Sequence, residues 1–521
     1  MNELAATSNE ESQRVKTSSD SSWFSPRKDW FAAVATSFIF VRYFVEMTRY
    51  SRSQPLWLDE ILTTWLVRLG SVASIYDGLA KGAEYSPPGL PVLLLWWSKL
   101  VGASYLSLRS PSFVGIALAA VAIFLLVRRY MDFSIATLAA VLVLCGPLHV
   151  FAQQVRPYAL TVTCFTFALL LWDGLEQSGH PRWNLAGINV LLSAAITLHF
   201  YSILYLVPFA AMELLYSLSS RRFRAPVWIT LAIAAASISL WIPLALRASR
   251  FNSADHGPGF YAAPTSLRFA QSLWFVLFPV DIFVSLLLLL FAGLLVYLAG
   301  IRNRKISVQP KTRRPLLWIA TGCALLPLAT FLFARLVSGT YNLRYILPAS
   351  ICTVIALCFA AESLPFRSIL VPLCSIAIAT HALVPRRIEP FVDNRAILQA
   401  ASKPYPIVMA EGLMFFQAEE DQSLTTQERG RLEYLILPQG HALKDATNEN
   451  LVIRWLGILP QLPAYPVDPY LQSRRCFYVF DSHESADDLA DYLNTQTLTT
   501  TNRTFIGKGT LDEMCPSAAN R

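Results

Sequence analysis

Two adjacent carboxylates, Asp59 and Glu60, stand in the stretch QPLWLDEILTTW (54–65), directly after a long apolar segment. Carboxylates beside a bilayer are costly unless something uses them. Two uses fit. One carboxylate can take a proton from a reacting group, assistance of the kind that contributes about 10²–10⁴-fold to a rate. Alternatively, the pair marks the first turn of a helix, where negative charge favours the dipole. In a helix the two neighbours point to different faces, so Glu60 would orient or cap rather than share the work of Asp59. Arginines occupy comparable positions: Arg109 in LRSPS (108–112), Arg156 in QQVRPYAL (153–160) and Arg344 in NLRYILP (342–348). Each lies at the start of an apolar run. A guanidinium there either clamps an anion such as phosphate through two parallel hydrogen bonds or anchors the run at the interface by snorkelling. Tyr158 and Tyr345 stand next to or near two of these arginines. Glu84, and His199 among Phe200 and Tyr201, complete the candidates. Glu84 fits a contact to substrate, to a divalent ion or to water, and His199 fits stacking and hydrogen bonding or simple packing. Arg42 and Glu46 are spaced to pair with each other on one helix and are left out of the set.

These residues must be positioned by membrane helices. The chain of 521 residues is 54% hydrophobic and 15% charged, against about 25% charged in ordinary soluble domains. Apolar runs close to the roughly 20 residues that span a bilayer core recur from Phe31 to Val384. Eleven spans are predicted, at about 30–48, 110–127, 133–149, 157–172, 183–198, 202–217, 226–246, 280–299, 315–336, 345–361 and 367–384. A twelfth apolar run, PPGLPVLLLWWSKLVG (87–102), opens with prolines and contains Lys99. If it does not cross, Arg128 and Arg129, Arg221 to Arg224, the basic run 302–314 and Arg367 all share one side with Arg27 and Lys28. The positive-inside bias selects that arrangement, so 87–102 is read as an interfacial or re-entrant helix, with Trp96 and Trp97 at the headgroup level. The expected layout is a disordered cytoplasmic segment over 1–29, a membrane domain over 30–384 with a large outer loop over 49–109, and an extracytoplasmic domain over 385–521. Every candidate residue then gathers on the outer face.

The net charge of +8 conceals a division. From residue 386 onward there are 13 Lys and Arg against 18 Asp and Glu, leaving 30 against 17 before it. The basic excess sits in short loops between spans and indicates membrane orientation rather than a nucleic-acid partner. In the tail, 405–410, 432–438 and 475–481 read as strands. Residues 448–459 and 485–494 read as helices, the second with Ser485 as N-cap, which together suggest a small α/β domain. Of the eight cysteines, six lie in apolar spans as packing residues. Cys476 and Cys515 lie in the tail, where an oxidising compartment would let them pair. No cysteine–histidine cluster suggests a metal.

The motifs, taken in order, resemble those of the C-type glycosyltransferase superfamily. The similarity is to the bacterial relatives of dolichyl-phosphate-mannose protein mannosyltransferase and of the lipid A aminoarabinose transferase. LDE in a large first outer loop is followed by YSPPGLPVLLLWW, LRSPS, QQVRPYAL, LHFYS and NLRYILP. The similarity covers about 59–348. Two positions depart from the family's pattern: Gln154 stands where a Glu is frequent, and Ser86 where a His precedes the double proline, so neither inherits a role.

The resemblance implies an inverting transferase that takes a sugar from a polyprenyl-phosphate donor on the outer face, in the bacterial inner membrane. Asp59 would be the catalytic base. Glu60, Glu84, Arg109, Arg156, Tyr158, His199, Arg344 and Tyr345 would line the substrate site. No metal ligand set is assigned, and a carboxylate-bound Mg²⁺ or Mn²⁺ stays open. The partners would be the lipid-linked donor, a glycan, lipid or protein acceptor, and membrane lipids. Two rival readings stand beside this one: a transporter or flippase of lipid-linked saccharides, which would place polar groups near the midplane between repeats, and a catalytically silent scaffold of the same fold.

Overall fold

The structure, a computed structural model, describes residues 26–176, 180–255, 262–277, 313–364, 366–384, 393–438, 446–473, 475–482, 488–496 and 498–516. The expected span 280–299, most of the basic run 302–314, nearly all of the 1–29 segment and Ser485 lie outside them.

The N-terminal part is helical. α1 (Pro26–Ser53) is followed by three short helices, α2 (Leu58–Arg68), α3 (Val72–Ala80) and α4 (Gly89–Val101). Next come α5 (Tyr105–Arg128), α6 (Phe133–Cys145), α7 (Leu148–Ala152), α8 (Tyr158–Asp173) and α9 (Pro181–Leu198). A 3₁₀ turn (Phe200–Tyr205) leads into α10 (Leu206–Ser220), then α11 (Ala225–Ala236), α12 (Ile242–Asp255) and α13 (Ser266–Leu277). α14 (Arg314–Phe333), α15 (Ser350–Glu362) and α16 (Arg367–Ala382) complete the bundle.

Among the described residues, four helical stretches are long and apolar enough to cross a membrane: Asp29–Ser53, Tyr105–Arg128, Phe200–Ser220 and Arg314–Ser338. A fifth is a pair bent by 50°, Ala225–Leu240 with Ile242–Phe251. The chain is a membrane protein. Two other expected spans form shorter helices, for physical reasons. The run 133–149 breaks at Gly146 and Pro147, so α6 ends at Cys145. The run 345–361 starts as two 3₁₀ turns before α15. α6 is buried from Ser134 to Cys145, enclosed by protein rather than facing lipid.

Small residues set the closest helix approaches. A Cβ on Gly115 of α5 would meet the Thr163 hydroxyl of α8 at 3.0 Å, and that hydroxyl donates to the Gly115 carbonyl at 2.7 Å. A stripe of small residues of this kind lets apolar helices pack backbone to backbone. α4 is the run read as interfacial. At 13 residues it reaches about 20 Å by helix rise, less than a bilayer core. Its first residue, Gly89, abuts the last turn of α9 so closely that a Cβ would lie 2.3 Å from the Thr197 carbonyl oxygen.

The tail carries a six-stranded sheet in the order β3-β2-β1-β4-β6-β5. β1 (Ile407–Met409), β2 (Leu432–Ile436) and β4 (Phe477–Asp481) fall within the three stretches read as strands. β3 (Ala464–Pro466), β5 (Leu498–Ile506) and β6 (Gly509–Pro516) were not expected. β1 to β4 run parallel, and β6 pairs antiparallel with β4 and β5. Cys476 and Cys515 form a disulfide across the β4–β6 pair, with Cα atoms 4.3 Å apart. Helix α17 (Asn394–Ala400) precedes β1, and α18 (Gly412–Glu420), α19 (Thr426–Arg429), α20 (Ala446–Leu456), α21 (Val467–Gln472) and α22 (Asp488–Asn494) connect the strands.

The tail shares one hydrophobic core with α2, α3 and α4. Trp65 of α2 packs against Phe416 and Trp455, each at 5.2 Å between ring centroids. Glu420 accepts hydrogen bonds from Trp65 Nε1 (3.0 Å) and Arg68 (2.6 Å), and its carbonyl accepts from the Tyr105 hydroxyl. The tail therefore lies against the helix that carries Asp59 and against the two helices flanking the loop that carries Glu84.

Candidate active site

α2 begins at the end of QPLW because Glu60 reaches back to cap it, its Oε2 accepting from the Trp57 backbone N–H at 2.9 Å. Asp59 and Glu60 occupy the first turn, where their charge favours the helix dipole. Their side chains diverge, as neighbours on a helix must.

Glu60 turns inward. Its Oε1 accepts from Arg109 Nε (2.9 Å) and from the Val155 backbone N–H (2.8 Å), and its Oε2 accepts from Arg109 Nη2 at 2.8 Å. Arg109 spends its remaining reach on the carbonyls of Gln54 and Pro55, both at 2.8 Å. The Arg109 side chain is 0% exposed and that of Glu60 3%. Both residues, expected to bind substrate, are engaged here on the protein itself, and each nitrogen of the Arg109 guanidinium donates to a protein acceptor. The pair ties four segments together instead, namely the start of α5, the 54–57 linker, α2 and the 153–157 loop.

Asp59 turns outward, with its side chain 32% exposed. Its Oδ2 accepts from Arg344 Nη1 at 2.8 Å and lies 3.8 Å from Arg156 Nη2. Arg344 is held there by a 3₁₀ turn (Leu343–Tyr345) that Asn342 caps through its side-chain oxygen. Arg156 stands at the entry of α8. Its Nη1 donates to Glu84 Oε1 (2.6 Å), to the Thr63 hydroxyl (3.1 Å) and to the Asp59 carbonyl (3.1 Å). Thr63 in turn donates to Glu84 Oε2 at 2.9 Å. Arg156 Nε is buried with no hydrogen-bond partner among the described residues, and Nη2 lies beyond hydrogen-bond reach of Asp59. The Nε–Nη2 edge, the fork that suits an oxyanion, is thus not committed to a protein acceptor.

The electrostatics follow from this geometry. Burial alone would raise the Asp59 pKa, but the Arg156 and Arg344 charges outweigh it and hold the carboxyl below its ordinary value. Burial pulls the Arg156 pKa down, yet Glu84 and then Asp59 bring it above its ordinary value, so the guanidinium stays charged. Tyr158 is the platform between the two arginines, whose guanidinium carbons lie 5.7 and 5.5 Å from its ring centroid. His199 packs against Tyr158 and Tyr345 at 5.3 and 5.2 Å, and its Nδ1 accepts from the Tyr201 backbone N–H. Burial, with the Arg156 and Arg344 charges adding, pushes its pKa down to about 3. His199 is therefore a neutral, packed group. Tyr345 stacks on Tyr201 at 3.9 Å, and the Tyr201 hydroxyl donates to the Thr340 carbonyl, which fixes the loop that carries Arg344.

All nine candidates therefore belong to one contiguous network at one end of the bundle. Six surround the partly open carboxylate of Asp59, while Glu60 and Arg109 lie behind it. Thr63, Tyr201 and Asn342 complete the network and were not anticipated, although the spacing of Thr63 from Asp59 on one helix face was a usable signal. The tail adds Arg454, which donates to the Tyr85 hydroxyl at 2.7 Å and so holds the turn at Gly82 (φ 82°) leading to Glu84. Among the described residues no group of three His, Cys, Asp or Glu side chains could hold a metal ion. The carboxylates present fit a divalent cation poorly, because each is already neutralised by an arginine: Asp59 by Arg344, Glu60 by Arg109, Glu84 by Arg156.

No protein-family model and no curated protein sequence matches the chain. Solved structures do. The apo structure of ArnT from Cupriavidus metallidurans, a lipid A aminoarabinose transferase, aligns over 94% of this chain and 98% of its own, with a TM-score of 0.52 and 12% identity. The same protein bound to undecaprenyl phosphate aligns over 93% and 98%, at 0.51 and 13%. The Archaeoglobus fulgidus oligosaccharyltransferase in complex with Zn and sulfate aligns over 82% of this chain and 62% of its own, at 0.42 and 14%. The fold is that of the C-type glycosyltransferases. Within this fold, near end-to-end coverage of ArnT extends the likeness beyond the motif region 59–348 into the tail.

Proposed function

We propose that this chain is an inverting glycosyltransferase. It moves a sugar from a polyprenyl-phosphate-sugar donor to an acceptor hydroxyl on the outer face of the bacterial inner membrane, with the N-terminus cytoplasmic and the tail extracytoplasmic. The observation that carries the reading is the contact between one partly exposed carboxylate and two guanidinium groups, Asp59 with Arg344 at 2.8 Å and Arg156 at 3.8 Å. A polyprenyl tail is confined to the bilayer, so a site for its headgroup belongs at the end of the bundle.

In the reaction, Asp59 accepts the proton of the acceptor hydroxyl as that oxygen bonds to the anomeric carbon. The bond from that carbon to the phosphate oxygen breaks, and its electron pair leaves on the polyprenyl phosphate. Charge thus grows on the phosphate during the step. The Nε–Nη2 edge of Arg156 and the guanidinium of Arg344 strengthen their hold as it grows, which is electrostatic catalysis. Phosphate is a good leaving group, so no general acid is required. A single displacement inverts the anomeric configuration. Clustering of the charged groups at one end favours surface chemistry over passage across the membrane, the rival reading.

The test is incubation of purified protein with a radiolabelled polyprenyl-phosphate sugar and envelope acceptor extracts. Transfer with inverted configuration is the expected result. Retained configuration, or binding without transfer, would contradict the reading.

A further inference from the structure

Among the described residues, the charged groups around Asp59 balance before any substrate arrives. Asp59 and Glu84 carry one negative charge each, and Arg156 and Arg344 one positive charge each. Behind them Glu60 and Arg109 form a second neutral pair, and His199 is uncharged. A donor phosphodiester brings one more negative charge into a chamber with no spare cation among these groups. The open Nε–Nη2 edge of Arg156 offers it hydrogen bonds, but its charge is balanced only if a carboxylate yields its arginine.

The two carboxylates differ in how firmly they are held. The Glu84 side chain is 7% exposed, takes a 2.6 Å contact from Arg156 and accepts a hydrogen bond from Thr63. Asp59 is a third exposed, and its one close side-chain partner among the described residues is Arg344. Asp59 is the looser of the two, and Arg344 belongs to a turn rather than a long helix. Resting on the proposed function, we infer that the donor phosphate displaces Asp59 from Arg344, so that arrival of the donor releases the base.

The exchange resolves a difficulty in the resting site. A carboxylate held below its ordinary pKa by two guanidinium groups is a weak base. Once Arg344 turns to the phosphate, the opposing effect of burial weighs more and the incoming negative charge adds to it, so the proton affinity of Asp59 rises. The groups that face Asp59 are Arg344 from the 343–345 turn and Arg156 from the entry of α8, with Glu84 beyond Arg156. Acceptor activation is thereby coupled to donor occupancy.

The experiment measures equilibrium binding of the methyl diester of undecaprenyl phosphate to purified full-length protein in lipid nanodiscs. This probe has no sugar to transfer and keeps a single negative charge across the pH range. Arg344→Ala is expected to weaken binding about tenfold or more, the worth of a charged hydrogen bond. Asp59→Asn is expected to tighten it by a similar factor, because the competing carboxylate is gone, and to give no gain in the Arg344→Ala background. In the unmodified protein, affinity is expected to rise as pH falls through the carboxylate range, a measurement that needs no variant. Affinity that is independent of pH, or unchanged by Asp59→Asn while Arg344→Ala still weakens it, overturns the exchange and leaves the proposed function standing. No binding, or binding indifferent to Arg344→Ala, overturns both.

Discussion

Asp59 and Glu60 are neighbours in the chain, yet their ion pairs lie in different worlds. The Glu60–Arg109 pair is sealed, with its carboxylate oxygens taking donors from Arg109, Trp57 and Val155. The Asp59–Arg344 pair is open, held at one close contact and reachable from outside. Desolvating an ion pair is expensive and is offset only when the remaining hydrogen-bonding positions are filled. The sealed pair meets that condition and acts as scaffold. The open pair has been left incomplete, as a pair that must exchange partners requires. Under the proposed function, the same residue types in the same turn serve as frame and as chemistry, and burial decides which.

The comparison breaks most sharply at Asp59. Asp59→Asn keeps the size and a hydrogen-bond acceptor but removes the base, so transfer should fall by about 10²–10⁴-fold while the protein folds and binds the lipid phosphate. Single-turnover transfer measured beside a thermal melt checks this. Near-normal turnover would show that Asp59 is frame, like its neighbour.

The opposite outcome is expected behind α2. Arg109→Ala leaves Glu60 buried without its cation, a loss of about 3–5 kcal/mol. The expected readout is a lowered melting temperature and reduced yield, with the remaining folded enzyme retaining its donor affinity. Arg109→Lys should also destabilise, because a lysine cannot reproduce the fork that serves Glu60, Gln54 and Pro55 together. An Arg109 variant that melts normally but has lost donor affinity would return Arg109 to the substrate.

Much of this was legible in the sequence, but unevenly. The order LDE, LRSPS, QQVRPYAL, LHFYS and NLRYILP is enough to gather eight of the nine residues that the fold brings into one network, with Glu84 lying outside those motifs. What the motifs do not carry is depth: an Arg before Ser-Pro reads alike whether it meets lipid phosphate or a buried Glu60. Strands β5 and β6 escaped notice because LTTTNRTFI is polar and edge-exposed, while GTLDEMCP buries Asp512 and Glu513. Arg503 and Lys403 pair with those two acids, partners that no local pattern reveals. Helix lengths were overestimated because hydropathy cannot see that Gly146 and Pro147 end α6 or that 3₁₀ turns precede α15.

A smaller effect separates the two states of the open pair. The acid limb of kcat/KM for the donor reports the free enzyme and that of kcat the loaded complex. Free Asp59 is held below its ordinary pKa by Arg156 and Arg344. It therefore stays ionised well into acid, and the kcat/KM limb should lie low. If the donor draws Arg344 away, the kcat limb should lie at higher pH than the kcat/KM limb. Limbs that coincide would mean that Arg344 stays on Asp59 throughout the cycle.

The smallest expected effect tests why Glu84, though partly like Asp59 in its pairing, does not join the exchange. Thr63 stands one turn after Asp59, and its hydroxyl bridges Glu84 and Arg156. Thr63→Val is close in shape and removes that bridge, at a cost of about 1 kcal/mol for one hydrogen bond. With Glu84 less firmly fixed, Arg156 loses its alignment toward the incoming phosphate, and donor KM should rise about fivefold with kcat little changed. A fall in kcat at constant KM would instead mean that the hydroxyl acts on Asp59, whose backbone carbonyl it also reaches at 3.1 Å. The frame and the chemistry would then be joined through Thr63 as well as through the shared turn of α2.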